Sequence, residues 1–301
     1  MAMNSLPEFH LSPYDPLRPE RITTGEHGLY YRDNPQNAPL DTQLVLIERG
    51  ELTVGDMPLA AWQQYVDRAW KVEHNTPLAT ERWKTKIQEE LIELKKAARS
   101  GDPAKVTDEG GDLAFVLTAL QNNDGGAIQP SFRKALRWYT DYSRVIKSDG
   151  SEDVPDWRQY AVKVANKPGA IKIKHIDRLA EKGFEPHGSV PLIFEGGRGI
   201  DLKDAMTDLE LMCMMIRPAA DISRRYRRRF DPEIADDPTA IFQNSELSER
   251  VMHALLLTTH ILHVSGSSLE SAIARNIRKV RARVIADRID KADGERSEDL
   301  L

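Results

Sequence analysis

Four acidic residues, arranged as two helical pairs, form the part of this sequence best suited to chemistry. Glu90 and Glu93 lie in the segment IQEELIEL, and Glu109 and Asp112 lie in DEGGDLAFVL. Residues three apart share nearly the same face of an α-helix, so each pair presents two carboxylates side by side. A set of carboxylates without histidine or cysteine favours Mg²⁺ or Mn²⁺. Such ions bind polyphosphates and activate water, so the four acids indicate phosphate chemistry.

The surroundings of these acids are unusual for a solvated helix face. At about 100° per residue, Glu109 falls inside the apolar stripe of its helix, and Glu90 lies at the edge of its own. Clustered or buried carboxylates are costly unless protons or cations neutralise them. Gly110 and Gly111 follow in mid-helix, where each costs roughly 1 kcal/mol relative to alanine. The two glycines therefore predict that another group approaches this helix closely.

The elements that position the acids can be predicted from the residues around them. Gly101 is typical of a helix end, Asp102 of an N-cap and Pro103 of a first helical turn, which together predict a helical hairpin. An amphipathic helix over 58–72 is expected before the hairpin, and another over 130–146 after it. The sequence therefore indicates an all-α bundle that brings the two acidic pairs together.

The composition is that of a globular protein with a highly charged surface. The chain has 301 residues, of which 40% are hydrophobic and 30% charged, with a net charge of −5. This charge gives no general attraction to nucleic acid or to an anionic membrane. With Cys213 as the single cysteine, no internal disulfide can form, and no secretory signal pattern is present. The stretch 251–264 is too short to span a bilayer. The single cysteine favours a reducing compartment, so we expect a cytoplasmic protein.

The rest of the chain divides by composition. Residues 1–40 lack periodicity, and residues 43–54 predict a β-hairpin around Arg49 and Gly50. Two short helices are expected within an otherwise irregular insertion. The expected divisions are an arm with a β-hairpin (1–56), catalytic helices (57–146), an insertion or linker (147–205) and a second helical half (206–301).

The paired motifs resemble the MazG-like all-α nucleoside triphosphate pyrophosphohydrolases. The resemblance rests on EExxE followed by ExxD, with Gly-Asp-Leu after the glutamate, and it extends over about 57–122 of this chain. The resemblance implies hydrolysis of a (d)NTP to (d)NMP and pyrophosphate, with Mg²⁺ or alternatively Mn²⁺, and nucleotide-pool house-cleaning as a role consistent with that activity. Carried over by position, it makes Glu90, Glu93, Glu109 and Asp112 metal ligands. Glu89, the leading acid, would support the site or activate water.

A second stretch, residues 245–288, resembles the same pattern less completely. Glu246 and Glu249 stand where ExxD is expected, but no EExxE precedes them, so one complete metal site is predicted. The family's phosphate-contacting lysine and arginine match Lys279 and Arg283, with Asn276 beside them. An ordinary surface cluster is the alternative. The two stretches suggest a tandem pseudo-repeat, in which residues 206–288 pack against 57–146 as an internal partner.

Other residue groups leave alternatives open. Lys134 could reach phosphate together with Arg133 and Arg137, or could simply keep its helix soluble. His253, His260 and His263 could suggest zinc, although packing or surface roles are more usual. The basic run 224–230 could bind nucleic acid, although a solvated helix end or an internal acidic partner explains it as well. Candidates for a base pocket are Trp62, Trp70, Trp83 and Asn122.

Two hypotheses of different class therefore remain. The first is an enzyme that acts on a nucleoside triphosphate, without nucleic acid or membrane partners and possibly as a homodimer. The second is a non-catalytic nucleotide-binding or helical assembly module. The intact set of four acids favours the enzyme, and the degenerate second half favours the module. Release of pyrophosphate from nucleotides in the presence of Mg²⁺ separates the two.

Overall fold

The structure, a computed structural model, falls into two compact units. One unit comprises Met1–Leu52 with Asp287–Leu301, and the other comprises Thr53–Ala286. The residues that the structure describes are 40–48, 50–69, 77–123, 126–142, 145–146, 149–186, 201–229, 238–280 and 282. The arm predicted over residues 1–40 lies outside them, apart from Leu40.

The first unit contributes one described helix, α1 (Leu40–Glu48). A turn follows, in which Gly50 has a φ of 71° and its N–H donates to the Ile47 carbonyl at 3.1 Å. The predicted β-hairpin over 43–54 is therefore wrong. Its basis was the short apolar run LVLI, and such a run cannot distinguish a strand from a helix by periodicity alone.

The second unit is helical, which confirms the all-α prediction. A short antiparallel pair, β1 (Val145–Ile146) and β2 (Glu152–Asp153), connects two of the helices. A 3₁₀ turn, Val54–Asp56, precedes the first helix. The described helices are α2 (Leu59–Ala69), α3 (Pro77–Ser100), α4 (Pro103–Asn123), α5 (Ile128–Tyr142), α6 (Asp156–Asn166), α7 (Ile173–Glu181), α8 (Leu202–Arg229), α9 (Pro238–Val264) and α10 (residues 269–280).

The predicted hairpin forms between α3 and α4. Gly101 ends α3 with a φ of 67°, a conformation that suits glycine. The Asp102 carboxylate then caps α4, because its Oδ1 accepts a hydrogen bond from the Ala104 N–H at 2.9 Å. The apolar stripes of both helices are buried, as their periodicity predicted. The stripe residues are Trp83, Ile87, Leu91 and Leu94 on α3, and Leu113, Val116, Leu117 and Leu120 on α4.

The later helices pack against this hairpin. Helix α8 lies against α3, and α9 lies against α4, α5 and α8. Two ion pairs join α3 to α8: Lys84 with Asp221 and Lys95 with Glu210, each at 2.6 Å. The expected packing of residues 206–288 on 57–146 is thus confirmed for the described residues. Cys213 is buried on α8, and burial, together with the nearby Glu210 charge, raises the pKa of its thiol to about 12.

The segment expected to be an irregular insertion is built into the second unit. Its two predicted short helices are confirmed as α6 and α7, and the apolar side of α7 is buried. Its backbone pairs with the chain around the start of α2: the Leu59 N–H donates to the Ile171 carbonyl at 2.8 Å, and the Ile173 N–H donates to the Met57 carbonyl at 3.1 Å. Residues 187–200 of this segment lie outside the described residues.

No described helix combines the length and the hydropathy needed to cross a bilayer.

Candidate metal and phosphate site

Helices α3 and α4 bring the predicted acids together. One carboxylate oxygen from each of Glu90, Glu109 and Asp112 can be chosen so that all three atoms lie within 4.8 Å of one another. All three side chains are half-buried. Glu93 is exposed, and its charge acts on both Glu90 and Glu109. The hairpin therefore concentrates negative charge at one place on the bundle.

Burial and the clustered negative charge raise the pKa values of two of the acids. Burial raises the pKa of Glu90 to about 7, with further contributions from the charges of Asp112 and Glu93. The pKa of Glu109 is also raised, first by burial and then by Glu93 and Asp112. The cluster thus favours proton uptake, which is the behaviour expected of carboxylates that lack a neutralising cation.

The donor set fits a hard divalent cation. Glu109 Oε2 is buried without a hydrogen-bond partner in the structure. A buried anionic oxygen with no donor is costly, and a cation in the cluster would satisfy it. Because Glu90, Glu109 and Asp112 offer only oxygen ligands, Mg²⁺ and Mn²⁺ fit this group better than zinc does.

Helix α10 brings polar groups to the edge of the cluster. Asn276 Nδ2 donates to Asp112 Oδ1 at 2.7 Å, and the Lys279 ammonium forms an ion pair with the same carboxylate. Nearby, Arg275 Nε donates to Asp108 Oδ1 at 2.9 Å. Two of the predicted phosphate-side residues are therefore next to the acids. Arg283, the third, lies outside the described residues.

The two mid-helix glycines explain how the later helices come so near. A Cβ at Gly110 would lie 2.8 Å from Leu262 Cδ2 on α9. A Cβ at Gly111 would lie 2.5 Å from the Ala272 carbonyl oxygen on α10 and 3.4 Å from Asn276 Cβ. The predicted close approach is thus confirmed, and the absence of side chains at these positions allows α10 to reach Asp112.

One basic residue near the acids was missed by sequence reasoning. Lys86 lies one turn before Glu90 on α3 and forms an ion pair with Glu89. The pKa of Lys86 is raised, first by the hydrogen bond to Glu89 and also by the charges of Glu90 and Glu93. Its spacing of four residues from Glu90 was the available signal. Glu89 is exposed, and it pairs with Lys86 at the margin of the cluster.

Two further basic candidates, Lys134 and Arg133, have other partners. Lys134 forms an ion pair with Glu249 on α9. Glu246 pairs with Arg250 one turn further along the same helix. Arg133 donates to two backbone carbonyls, those of Lys167 and Gly169, at 2.8 and 2.6 Å. In the contacts described, Lys134 therefore meets an acid of the second motif rather than the acids of the first.

The described residues give no support to the zinc alternative. Their one cluster of three potential ligands is Glu90, Glu109 and Asp112. His253 instead packs on the rings of Trp138 and Tyr139, with centroid distances of 5.0 and 5.1 Å. Side chains of the basic run 224–230 lie outside the described residues.

The candidate base-pocket residues have structural roles where they are described. Trp62 is fully buried, and its Nε1 donates to Thr118 Oγ1 at 3.0 Å. Trp83 is 2% exposed. Asn122 Nδ2 donates to the Gln63 carbonyl at 3.1 Å. Trp70 lies outside the described residues.

Comparison with known proteins agrees with this geometry. Residues 68–135 match the family model of phosphoribosyl-ATP pyrophosphohydrolase. The matched region includes all four predicted acids and both helices of their hairpin. No curated protein and no solved structure matches the chain. The match points to a pyrophosphohydrolase that acts on nucleotides. Residues 68–135 therefore form a phosphoribosyl-ATP pyrophosphohydrolase domain, which belongs to the MazG-like all-α pyrophosphohydrolase superfamily.

Proposed function

We propose that this protein is a Mg²⁺-dependent nucleoside triphosphate pyrophosphohydrolase, which converts a (d)NTP to (d)NMP and pyrophosphate. The observation that carries the proposal is the three-carboxylate group of Glu90, Glu109 and Asp112 across α3 and α4. The buried, unpartnered oxygen of Glu109 adds to it. A role in clearing unwanted nucleotides from the pool suits such an activity.

The acids would hold the cation. Glu90, Glu93, Glu109 and Asp112 would ligate Mg²⁺, and Mn²⁺ would suit the same oxygens. The bound ion would neutralise the carboxylates, bind phosphate oxygens and activate water. Glu89, or another acid of the cluster, would accept the proton of the attacking water.

The groups on α10 would act on the phosphates. Lys279 and Asn276 lie together on the Asp112 carboxylate, so they border the place that the cation would take. A positioned ammonium group and an amide N–H stabilise negative charge that develops on a leaving pyrophosphate. Arg283 and Lys134 remain proposed members of this set, and the pairing of Lys134 with Glu249 makes it the weaker one.

A pyrophosphate-release assay with Mg²⁺ tests the proposal. The panel would contain common and modified NTPs and dNTPs, together with phosphoribosyl-ATP, which the name of the matched family makes a second candidate substrate. Glu90→Ala should lower turnover by at least about 100-fold, because the cation loses a ligand. If the wild type binds nucleotides but releases pyrophosphate from none of them, the non-catalytic binding module is the better description.

Lys279→Ala tests the phosphate role separately. It should raise the KM for the nucleotide about tenfold, or slow turnover, while Mg²⁺ still stabilises the fold. Lys105→Ala is the matched control, because Lys105 is exposed on α4 and pairs only loosely with Asp102 at 3.9 Å. Normal kinetics in both Lys279→Ala and Arg283→Ala would move the phosphate role to Arg133, Lys134 and Arg137.

A further inference from the structure

Helix α10 is tied at its first turn to the inserted segment. Asp177 on α7 is 9% exposed, and both of its oxygens accept hydrogen bonds from the start of α10. Its Oδ1 accepts from the Leu269 N–H at 2.6 Å, and its Oδ2 accepts from the Glu270 N–H at 2.9 Å. The first N–H groups of a helix lack partners within it and favour a negative charge. Here the Asp177 carboxylate, from another helix, supplies both the hydrogen-bond acceptors and the negative charge.

The helix also has a cap of its own. Ser268 Oγ accepts a hydrogen bond from the Ser271 N–H at 3.1 Å, as an N-cap residue does. The local cap already protects α10 against fraying. Burial of Asp177 raises the pKa of its carboxyl to about 6, although the two backbone hydrogen bonds act against this rise. A buried acid is a costly addition to a helix that already has a cap.

Helix α7, which carries Asp177, is held by parts of the fold other than α4. Lys172, just before α7, and Lys174, in its first turn, both pair with Asp56, at 3.2 and 2.5 Å. A Cβ at Gly55 in the same turn would clash with the Glu270 carboxylate, so this turn also fits closely against the start of α10. Helix α10 is therefore fixed at its start by the insertion and along its length by α4.

We propose that Asp177 is a positioning residue that sets the placement of α10, and with it the placement of Asn276 and Lys279 beside Asp112. Lys279 lies about 14 Å along the helix from Glu270, at 1.5 Å per residue. A small tilt or rotation at the start would therefore displace the Lys279 ammonium. The inference rests on the proposed function, since it assigns Lys279 and Asn276 to the phosphate side of the site.

The test compares Asp177→Asn with wild type in the full-length protein. Asparagine keeps the size but turns one acceptor into a donor that faces a backbone N–H. We expect kcat/KM for the best nucleotide of the panel to fall about tenfold. Mn²⁺ should still bind without nucleotide, as measured by calorimetry, because its ligands lie on α3 and α4. Wild-type kinetics in Asp177→Asn would overturn the inference.

A double-variant comparison separates positioning from general stability. If Asp177 acts through Lys279, Asp177→Asn should reduce kcat/KM by less than twofold in the Lys279→Ala background. An undiminished tenfold loss there would overturn the inference. Asp177→Glu keeps the charge but lengthens the side chain, so it should displace α10 and also lower kcat/KM. If Asp177→Asn does not fold, the kcat/KM of Asp177→Glu tests the inference instead, and wild-type kinetics in that variant would overturn it.

Two control variants complete the experiment. Ser268→Ala removes the local cap and should lower the melting temperature by about 2–4 °C with unchanged kinetics. A loss of activity in Ser268→Ala proportional to that in Asp177→Asn would overturn the positioning role. Asp156 lies at the start of α6, and its exposed carboxylate pairs with Lys182, the residue after α7. Asp156→Asn should behave as wild type. An active wild type with unaffected Asp177→Asn refutes this inference alone, whereas a wild type that neither binds nor hydrolyses nucleotides refutes the proposed function and this inference together.

Discussion

The carboxylates of Glu90, Glu109 and Asp112 share a space in which three full charges would repel strongly. Like charges about 5 Å apart cost roughly 3 kcal/mol at an effective dielectric constant of about 20. Asp112 is compensated by Asn276 and Lys279, whereas one oxygen of Glu109 is buried without a partner. Glu109, whose Oε2 is buried without a hydrogen-bond partner, is therefore the acid that a cation would stabilise most.

Glu109→Gln should stabilise the metal-free protein and abolish turnover. The change removes one of the repelling charges and provides amide N–H groups for neighbouring carboxylates, so we expect a gain of about 1–2 kcal/mol in the free energy of unfolding. Denaturant titrations without metal, compared with pyrophosphate release in Mg²⁺, measure both effects. The wild type should also melt at a higher temperature in Mg²⁺. Full activity in Glu109→Gln, or a wild-type melting temperature that does not change with Mg²⁺, would refute the site.

Glu90 should make the stability of the metal-free protein depend on pH. The pKa of Glu90 is raised from the usual 4.5 to about 7. Between these values the folded protein holds a proton that the unfolded chain has released. The free energy of unfolding should therefore fall as pH rises from about 4.5 to 7 and then level off. Denaturant titrations at several pH values should show a smaller fall in Glu90→Gln, and an identical fall would contradict this assignment.

At the scale of the elements, two glycines on α4 decide how the site is assembled. The nearest atoms to a Cβ at Gly111 are backbone atoms of α10, and the nearest to a Cβ at Gly110 belong to the buried Leu262 side chain. Backbone cannot move aside without shifting its helix, whereas a buried side chain can adjust locally at a smaller cost. The two adjacent positions therefore differ in what an added methyl group would do.

Gly111→Ala should separate α10 from α4, whereas Gly110→Ala should cost less stability and leave α10 in place. The clash at Gly111 should cost about 1–3 kcal/mol, partly offset by the better helix propensity of alanine, and should lower kcat/KM by displacing Lys279. At Gly110 the propensity gain should offset part of the cost of shifting the buried Leu262 side chain. Melting temperatures and kinetics of both variants test this comparison. Equal effects at both positions would mean that the backbone contact does not control α10.

The sequence predicted the elements whose signals are local. The turn at Gly101 and Asp102, the apolar stripes and the close approach at the two glycines all depend on residues near in the chain, and the structure confirms them. The apolar run in 43–54 carried no such signal, and its strand prediction was wrong. The contact of Asp177 with α10 joins residues 92 positions apart, so no periodicity could have revealed it.

At the scale of the whole molecule, helices α8 and α9 form a second pair that covers the hairpin of α3 and α4. Helix α9 covers α4, α8 covers α3, and α10 supplies the polar groups beside Asp112. Acids of the second half meet bases of the first, as in the pairs of Glu210 with Lys95 and Glu249 with Lys134. The second half is thus a packing partner in this structure, whether or not it arose as a repeat.

A fragment that ends near residue 146 should be insoluble or inactive. It would expose the buried faces of α3 and α4, and exposed apolar surface costs about 25 cal/mol per Å² and promotes aggregation. Solubility, light scattering and pyrophosphate release measure the outcome. The full-length variant with Glu246→Ala and Glu249→Ala should keep most of its activity, which separates the packing role from a second metal site. A soluble, fully active fragment would refute the internal-partner hypothesis.

The burial of Cys213 gives the folding of this protein a built-in reporter. The chain has one thiol, it is 1% exposed on α8, and its high pKa keeps it protonated at neutral pH. An alkylating or disulfide reagent can react only when this region opens, so the labelling rate measures the opening equilibrium without any engineered cysteine. Because α8 packs on α3, which also carries Glu90, a cation that ties α3 to α4 should slow the labelling. A mass-spectrometric time course of Cys213 labelling, with and without Mg²⁺, would then report whether the cation is bound to the acids on α3 and α4.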